Sequence, residues 1–294
     1  MKLSFDLTQH RVTGGKPFKI AKVPTNVKKL YKDEAHYQAL LAEYRNEISE
    51  MQEMLYAHHR YGVCVIFQAM DAAGKDGTIK HVMSGIDPQG VEVHAFKKPT
   101  EDELDHDFMW RCSQRMPPRG RIGIFNRSYY EEVLVCQVHP EIVQKYQHMP
   151  AEVLKDMPKL FDKRRKDIQR FESYAFRNGM RIVKIMLHVS KEEQKKRFLE
   201  RIDTPAKNWK FNAADVQARS QWDEYMKAYE QAINATATEK CPWYVVPADD
   251  KKNMRLIVSA AILHEMKRLH LHWPKLPPEQ KAELSKCRAM LMDD

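Results

Sequence analysis

The feature that most narrows the fold is a short β-branched run, VCVIFQ at 63–68, passing directly into a glycine-bearing turn and a helical stretch, AMDAAGKDGTIKHVM. A run this short and this apolar predicts a strand buried on both faces, as in a parallel sheet covered by helices. A turn between such a strand and a helix is where backbone N–H groups and the helix dipole hold phosphate. The Walker A form of that turn is G-x-x-x-x-G-K-[ST]. Gly74 and Lys75 match it, whereas Ala69 stands at the first glycine and Asp76 at the hydroxyl position, with Gly77 and Thr78 following. The pattern is degenerate, but the strand before it and the helix after it supply the required context. Residues Ala72, Ala73, Gly74, Lys75, Asp76, Gly77 and Thr78 are therefore the predicted phosphate cradle.

Four further strands are predicted at 91–96, 122–125, 181–189 and 243–246, with helical material between them. Strands alternating with helices imply an α/β fold with a parallel sheet, here five-stranded, flanked by helices. Helical spacing of apolar residues predicts a long helix over 27–60 and others over 191–201, 212–234, 250–270 and 278–291. Another begins near Pro158, where Asp156 suits the cap, and ends at Gly179. Residues 1–26 read as an extended arm. With no repeat and no low-complexity linker, one domain spanning 1–294 is expected, its amino-terminal 60 residues being arm and long helix.

A net charge of +9 favours an acidic partner, because a basic field concentrates polyanions. Nucleic acid, an anionic membrane and polyphosphate all qualify on charge alone. No apolar run approaches the roughly 18 to 20 residues that cross a bilayer, and the amino terminus lacks a signal-peptide core, so no membrane association and a cytoplasmic location are expected. The five widely spaced cysteines, without C-x-x-C, read as reduced packing thiols, and the histidines lack metal-site spacing.

A second polar cluster closes the strand at 122–125: Asn126, Arg127, Ser128 and Glu131. In an open parallel sheet the ligand crevice lies at the carboxyl ends of the strands, so this cluster and Lys75 are expected to face one site. Arg127 offers a fork of donors suited to phosphate. Asp71, inside the turn, would repel a polyanion unless a cation lay between, which predicts either a Mg²⁺ ligand or a group orienting the attacking phosphate. Asn126 stands where a Walker B aspartate would hold metal, leaving that role to Asp71 and Glu131. Around these motifs Lys80, Arg119, Arg121, Lys195, Lys196, Arg197, Arg201 and Lys210 form a basic set suited to an anionic substrate. The basic runs at 163–165 and 195–197 read as solvated helix faces, and Trp209 and Trp222 as core packing in preference to base stacking.

The segments FQAMDAAGKDGTIKHVMSGIDPQG, FNRSYYEEVLV and KIMLHVSKEEQKKRFLERIDTPAKNWKF together resemble the type 2 polyphosphate kinases, across most of residues 27–270. The resemblance is closest to the branch that phosphorylates both nucleoside mono- and diphosphates. It implies a P-loop kinase fold similar to thymidylate kinase, with a helical lid over 202–229. It further implies that Lys75 is the Walker A lysine, Asp71 the Mg²⁺-managing acid and Arg127 the phosphate-binding arginine. Lid contacts fall on Lys207, Lys210 and Arg219, with Arg201 at the base. Many members end the second strand in aspartate; Asn126 with Glu131 fits the monophosphate-accepting branch. The implied substrates are inorganic polyphosphate, AMP, ADP and ATP. The long amino-terminal helix with its aromatic residues leads to the expectation of a homo-oligomer, and no nucleic-acid partner is expected.

Two other functions compete. A nucleoside monophosphate kinase using a nucleoside triphosphate as donor would share the fold. A basic nucleic-acid-binding protein would leave the phosphate turn unexplained and lacks any recognition motif of that class.

Overall fold

The structure, a computed structural model, describes residues 5–293. Its centre is a sheet of β1 (Arg11–Val12), β2 (Gly62–Ala69), β3 (Val91–Ala95), β4 (Ile122–Asn126), β5 (Met180–His188) and β6 (Trp243–Pro247), in the order β1-β6-β5-β2-β4-β3. The five predicted strands are present and mutually parallel. The sheet nevertheless has six strands. Arg11 and Val12, within the segment expected to be an extended arm, pair antiparallel with Tyr244 and Trp243. Two residues are too few to show a period, and the pairing is fixed by distant partners: Arg11 bonds Glu265 at 3.1 Å and Glu239 at 3.0 Å.

The longer helices are α1 (Glu34–His58), α2 (Lys75–Val82), α3 (Met157–Arg177), α4 (Lys191–Asp203), α5 (Trp222–Thr236), α6 (Lys251–Lys267) and α7 (Pro278–Met292). Helix α6 packs against α1, α2, β5 and β6 on one face, and α3 packs with α5 and β5 on the other. Helix α1 starts seven residues later than the spacing predicts, because Asp33 caps it by accepting from the His36 N–H. Asp156 caps α3 as expected, accepting from Lys159.

The expected helix over 212–234 is broken into Ala213–Ala218, a 3-10 turn at Arg219–Gln221 and α5. The last part is held by the core through Tyr225, Tyr229 and Ile233, while the first piece packs against it through the half-buried Ala218.

Strands β2, β4 and β5 are buried along nearly their whole length. One charged network sits inside this apolar layer. Lys184 of β5 pairs with Glu172 of α3, both fully buried, and also donates to the Thr236 carbonyl at 2.8 Å. Glu172 Oε1 accepts from the hydroxyls of Tyr129 at 2.9 Å and Tyr130 at 2.7 Å. A buried pair holds only when its remaining lone pairs are used, and the two tyrosines use them here. They anchor the turn that follows β4.

Candidate active site

The carboxyl ends of β2, β3 and β4 open into a cavity of about 480 Å³. The phosphate turn runs from Met70 to Gly74 and enters α2 at Lys75. Ala72 and Gly74 both have positive φ, 60° and 106°, a backbone in which successive N–H groups converge on an anion. Gly74 is favoured by its backbone, since an L-residue is strained at that φ; a Cβ there would lie 3.3 Å from the Met254 methyl, which would have to give slightly. The Lys75 ammonium donates to the Ala69 carbonyl at 2.9 Å, bridging the two ends of the turn.

The carbonyls of the turn point away from the cavity and are held by α4. Gln194 Nε2 donates to the Asp71 carbonyl at 2.9 Å. Arg197 Nη1 donates to Ala72 and Ala73 at 3.2 and 2.7 Å, Nη2 to Ala248 and Asp249 at 2.6 and 3.0 Å, and Nε to Glu193 at 2.9 Å. The run at 195–197 is thus not a single solvated face, since Arg197 is 5% exposed. The run at 163–165 is corrected likewise: Arg164 and Arg165 are buried, bonding Glu132 at 3.0 Å and Gln137 at 2.5 Å.

Arg127 follows β4 with φ 66° and donates its N–H to the Phe67 carbonyl at 3.0 Å. That backbone turns its guanidinium between two carboxylates, 3.0 Å from Asp71 and 3.8 Å from Glu131. Strained φ values at two neighbouring positions of one cavity are typical of functional sites. Glu131 and Asp71 raise the Arg127 pKa, with Glu131 the larger influence. Burial pushes the Glu131 carboxyl up, against the opposing pull of Arg127 and Lys75. Burial likewise lowers the Lys75 ammonium, partly offset by Asp71. With its amide oriented to satisfy both ends, Gln68 donates to Glu131 Oε1 at 2.8 Å and accepts from Ser128 at 3.1 Å.

Of the residues expected at the site, Asp71, Ala72, Gly74, Lys75, Asp76, Gly77, Asn126, Arg127 and Arg201 line one cavity. Asn126 Nδ2 donates to Asp76 Oδ1 at 2.7 Å. Glu131 stands behind Arg127 and lines a smaller adjoining space. Ala73 is fully buried in the turn, and the Thr78 hydroxyl bonds back to the Gly74 carbonyl at 2.9 Å, so neither side chain faces the opening.

Several basic candidates lie elsewhere. Arg119 and Arg121 precede β4, at the opposite end of the sheet, a strand length of roughly 16 Å away at about 3.3 Å per residue. They bond the Asn178 and Gln89 carbonyls at 3.2 and 2.5 Å. Lys80 is exposed on α2 outside the lining, and Lys207 pairs with Glu200 at 2.5 Å. Arg219 bonds the Lys191 carbonyl at 2.5 Å and Gln194 Oε1 at 3.1 Å, which makes it a support for the turn. The Lys210 side chain lies outside the described residues.

The cavity also contains residues the motifs did not indicate. Lys97 and Lys98 follow β3 and line it, as does Asp215. The rule that drew attention to Arg127, polar residues just past a parallel strand, applies equally to these lysines. Trp209 is 79% exposed at the rim, against the expectation of core packing, while Trp222 does pack on the core.

The carboxylates fit Mg²⁺ only in the manner of a phosphate-assisted site. Among the described residues no three His, Cys, Asp or Glu side chains gather as a metal cage. Asp71 and Asp76 line the cavity, and Mg²⁺ in phosphoryl-transfer sites commonly uses one or two carboxylates with substrate phosphates and water. No helix among the described residues is long and apolar enough to cross a membrane.

Comparison with known proteins agrees with this geometry. The chain is 50% identical over 285 residues to an ADP-polyphosphate phosphotransferase of Rhodopseudomonas palustris, covering 97% of this chain and 98% of that one. It is 41% identical over 243 residues to an AMP/ADP-polyphosphate phosphotransferase of Meiothermus ruber, covering 83% and 85%. The crystal structure of polyphosphate kinase 2 from Arthrobacter aurescens superposes with a TM-score of 0.86 at 38% identity, over 100% of this chain and 99% of that one. Residues 31–272 match the family model for polyphosphate kinase 2, and this chain belongs to that family.

Proposed function

We propose that this protein transfers phosphoryl groups between inorganic polyphosphate and nucleotides, phosphorylating ADP to ATP and AMP to ADP. The observation that carries the reading is one cavity in which Lys75, Lys97, Lys98, Arg127 and Arg201 surround a phosphate turn. Five cations suit a chain bearing about one negative charge per unit, and the names of the similar proteins point the same way. In this reading the fold is that of a P-loop kinase in one domain, with 202–229 as its helical lid.

In the transfer, an oxygen of the acceptor's terminal phosphate attacks the terminal phosphorus of polyphosphate. The bond to the next bridging oxygen breaks, and the chain leaves one unit shorter. The turn's N–H groups and Lys75 hold the donor end, and Arg127 neutralises charge on the moving group. Asp71 orients Arg127 from one side and Glu131 from the other. Mg²⁺, fitted at Asp71, supplies further charge neutralisation when bound.

The acceptor range rests on Asn126 and Glu131. Neutral Asn126 at the strand end leaves room for phosphates of either acceptor, and Glu131 restores charge from behind Arg127. The test is a time course of nucleotides from AMP, Mg²⁺ and polyphosphate, without any nucleoside triphosphate and free of adenylate kinase. ADP should appear first and ATP later. ATP from ADP without ADP from AMP would remove the monophosphate step. No product from either would leave a triphosphate-dependent kinase as the better reading.

A further inference from the structure

The amino-terminal arm meets the phosphate site at one remove. Before α1 its chain runs along α5 and then over the β6–α6 junction, and paired hydrogen bonds hold it to both. The Phe18 N–H donates to Asn234 Oδ1 at 2.8 Å, and Asn234 Nδ2 returns a bond to the Phe18 carbonyl at 2.9 Å. The Ile20 N–H donates to Glu230 Oε2 at 2.9 Å. Further on, the Leu30 N–H donates to Asn253 Oδ1 at 2.9 Å, and Asn253 Nδ2 donates to the Val27 and Lys28 carbonyls at 3.1 and 3.2 Å.

Between these two clamps stands Asp249. Thr25 Oγ1 donates to its Oδ2 at 2.7 Å, and the Asp249 N–H donates to the Thr25 carbonyl at 3.0 Å. Its Oδ1 accepts at 2.8 Å from the N–H of Ser190, the residue that caps α4. Its carbonyl accepts from Arg197 Nη2 at 3.0 Å. Gln194 and Arg197, both within about two turns of the start of α4, hold the carbonyls of Asp71, Ala72 and Ala73. One aspartate thus joins the arm, the start of α4 and Arg197, although it does not line the cavity.

We infer that Asp249 is a positioning residue for the phosphate turn, and that the arm acts through it as a strap. The kinetic part of this rests on the phosphotransferase reading above; what it adds is how residues outside the cavity aim the turn. The C=O of one residue and the N–H of the next share a rigid plane and point in opposite directions. Holding the Asp71 and Ala73 carbonyls away from the cavity therefore aims the Ala72 and Gly74 N–H groups towards it. A shift of α4 moves those carbonyls, and with them the donors that would grip phosphate. Asp249 fixes α4 at its first residue and again at Arg197, and the two-point contact with Thr25 fixes Asp249.

The test compares Asp249→Ala, Asp249→Asn and Thr25→Val with wild type, in ATP formation from ADP and polyphosphate and in amide hydrogen exchange of the ligand-free full chain. Asp249→Ala should lower kcat about tenfold with KM for ADP within about twofold, since a small misplacement of reacting groups by a distant change is expressed in rate. Asp249→Asn keeps an acceptor for the Ser190 N–H and a polar atom for the Thr25 hydroxyl, and should recover most of the rate. Thr25→Val keeps the shape without the hydroxyl and carries the test should Asp249→Ala fail to fold; it should lower kcat about threefold and speed exchange at 71–76. Arg11→Gln loosens the arm at β1, away from Asp249, and should cost stability with kcat unchanged. An equal loss of kcat in Arg11→Gln, or Thr25→Val with wild-type kcat and wild-type exchange at 71–76, overturns the inference. In a protein that forms no ATP from polyphosphate, faster exchange at 71–76 in Thr25→Val would support the strap while removing the polyphosphate donor.

Discussion

Arg127 and Asp71 lie 56 residues apart in the chain, yet the guanidinium of one stands 3.0 Å from the carboxylate of the other at the mouth of the phosphate cradle. The pair joins the two motifs that the chain carries on adjacent parallel strands. Asp71→Asn removes the charge that holds Arg127 forward and the carboxylate where Mg²⁺ fits. Polyphosphate-dependent ATP formation should fall at least about 100-fold, since one charge-stabilising group is typically worth about 3–4 kcal/mol in such sites. Circular dichroism should be unchanged, and near-wild-type turnover would remove Asp71 from the catalytic set.

Lys75 has the opposite signature in stability. Its pKa is lowered in the folded protein chiefly by burial. A lysine depressed this way binds fewer protons folded than unfolded, so its charge opposes folding below the folded pKa. That penalty fades as pH rises from there towards 10.5, the ordinary value. Lys75→Met should therefore abolish transfer while leaving the ligand-free protein at least as stable at neutral pH. The stability difference should vanish above about pH 10.5, the ordinary lysine range. Thermal melts of both proteins across that range measure it; a less stable variant at pH 7 would contradict the sign.

Arg197 makes five hydrogen bonds, four of them to carbonyls of the phosphate turn and the β6–α6 junction. Arg197→Met orphans these carbonyls, at about 1–3 kcal/mol for each one left buried and unsatisfied. Denaturant unfolding should show a loss of at least about 2 kcal/mol. Arg197→Lys should recover only part of it, because an ammonium cannot reproduce the planar fork.

Asn126→Asp places a carboxylate where the amide now donates to Asp76 at 2.7 Å. Two carboxylates at that distance repel unless a cation or proton intervenes. The variant should change the ratio of AMP to ADP activity and raise the Mg²⁺ concentration dependence of both. An unchanged ratio would detach acceptor choice from this position.

Lys97 and Lys98 give a test of the polyanion. Replacing both by Ala should raise KM for polyphosphate several-fold and flatten its dependence on salt, since fewer counterions are released on binding. KM for ADP should move less. A salt dependence identical to wild type would place polyphosphate away from the carboxyl end of β3.

Local sequence determined the elements whose signal is local. The buried run at 63–68, the glycine turn and Lys75 needed only a strand, a tight left-handed position and a helix start, and each leaves a mark within a few residues. The meeting of Lys75 with Arg127 was legible too, because parallel strands place their carboxyl ends on one edge. Tertiary structure decided the rest, because charge alone does not say which way a side chain faces. Arg119, Arg121, Arg197 and Arg219 carry the same charge as Arg127, yet backbone carbonyls hold all four, and only packing brings those carbonyls within reach. The same holds for β1, whose two residues become a strand only because β6 offers an unpaired edge and Glu265 a buried partner for Arg11. Pairing of that kind depends on residues more than 200 positions away, and no window of local sequence contains it.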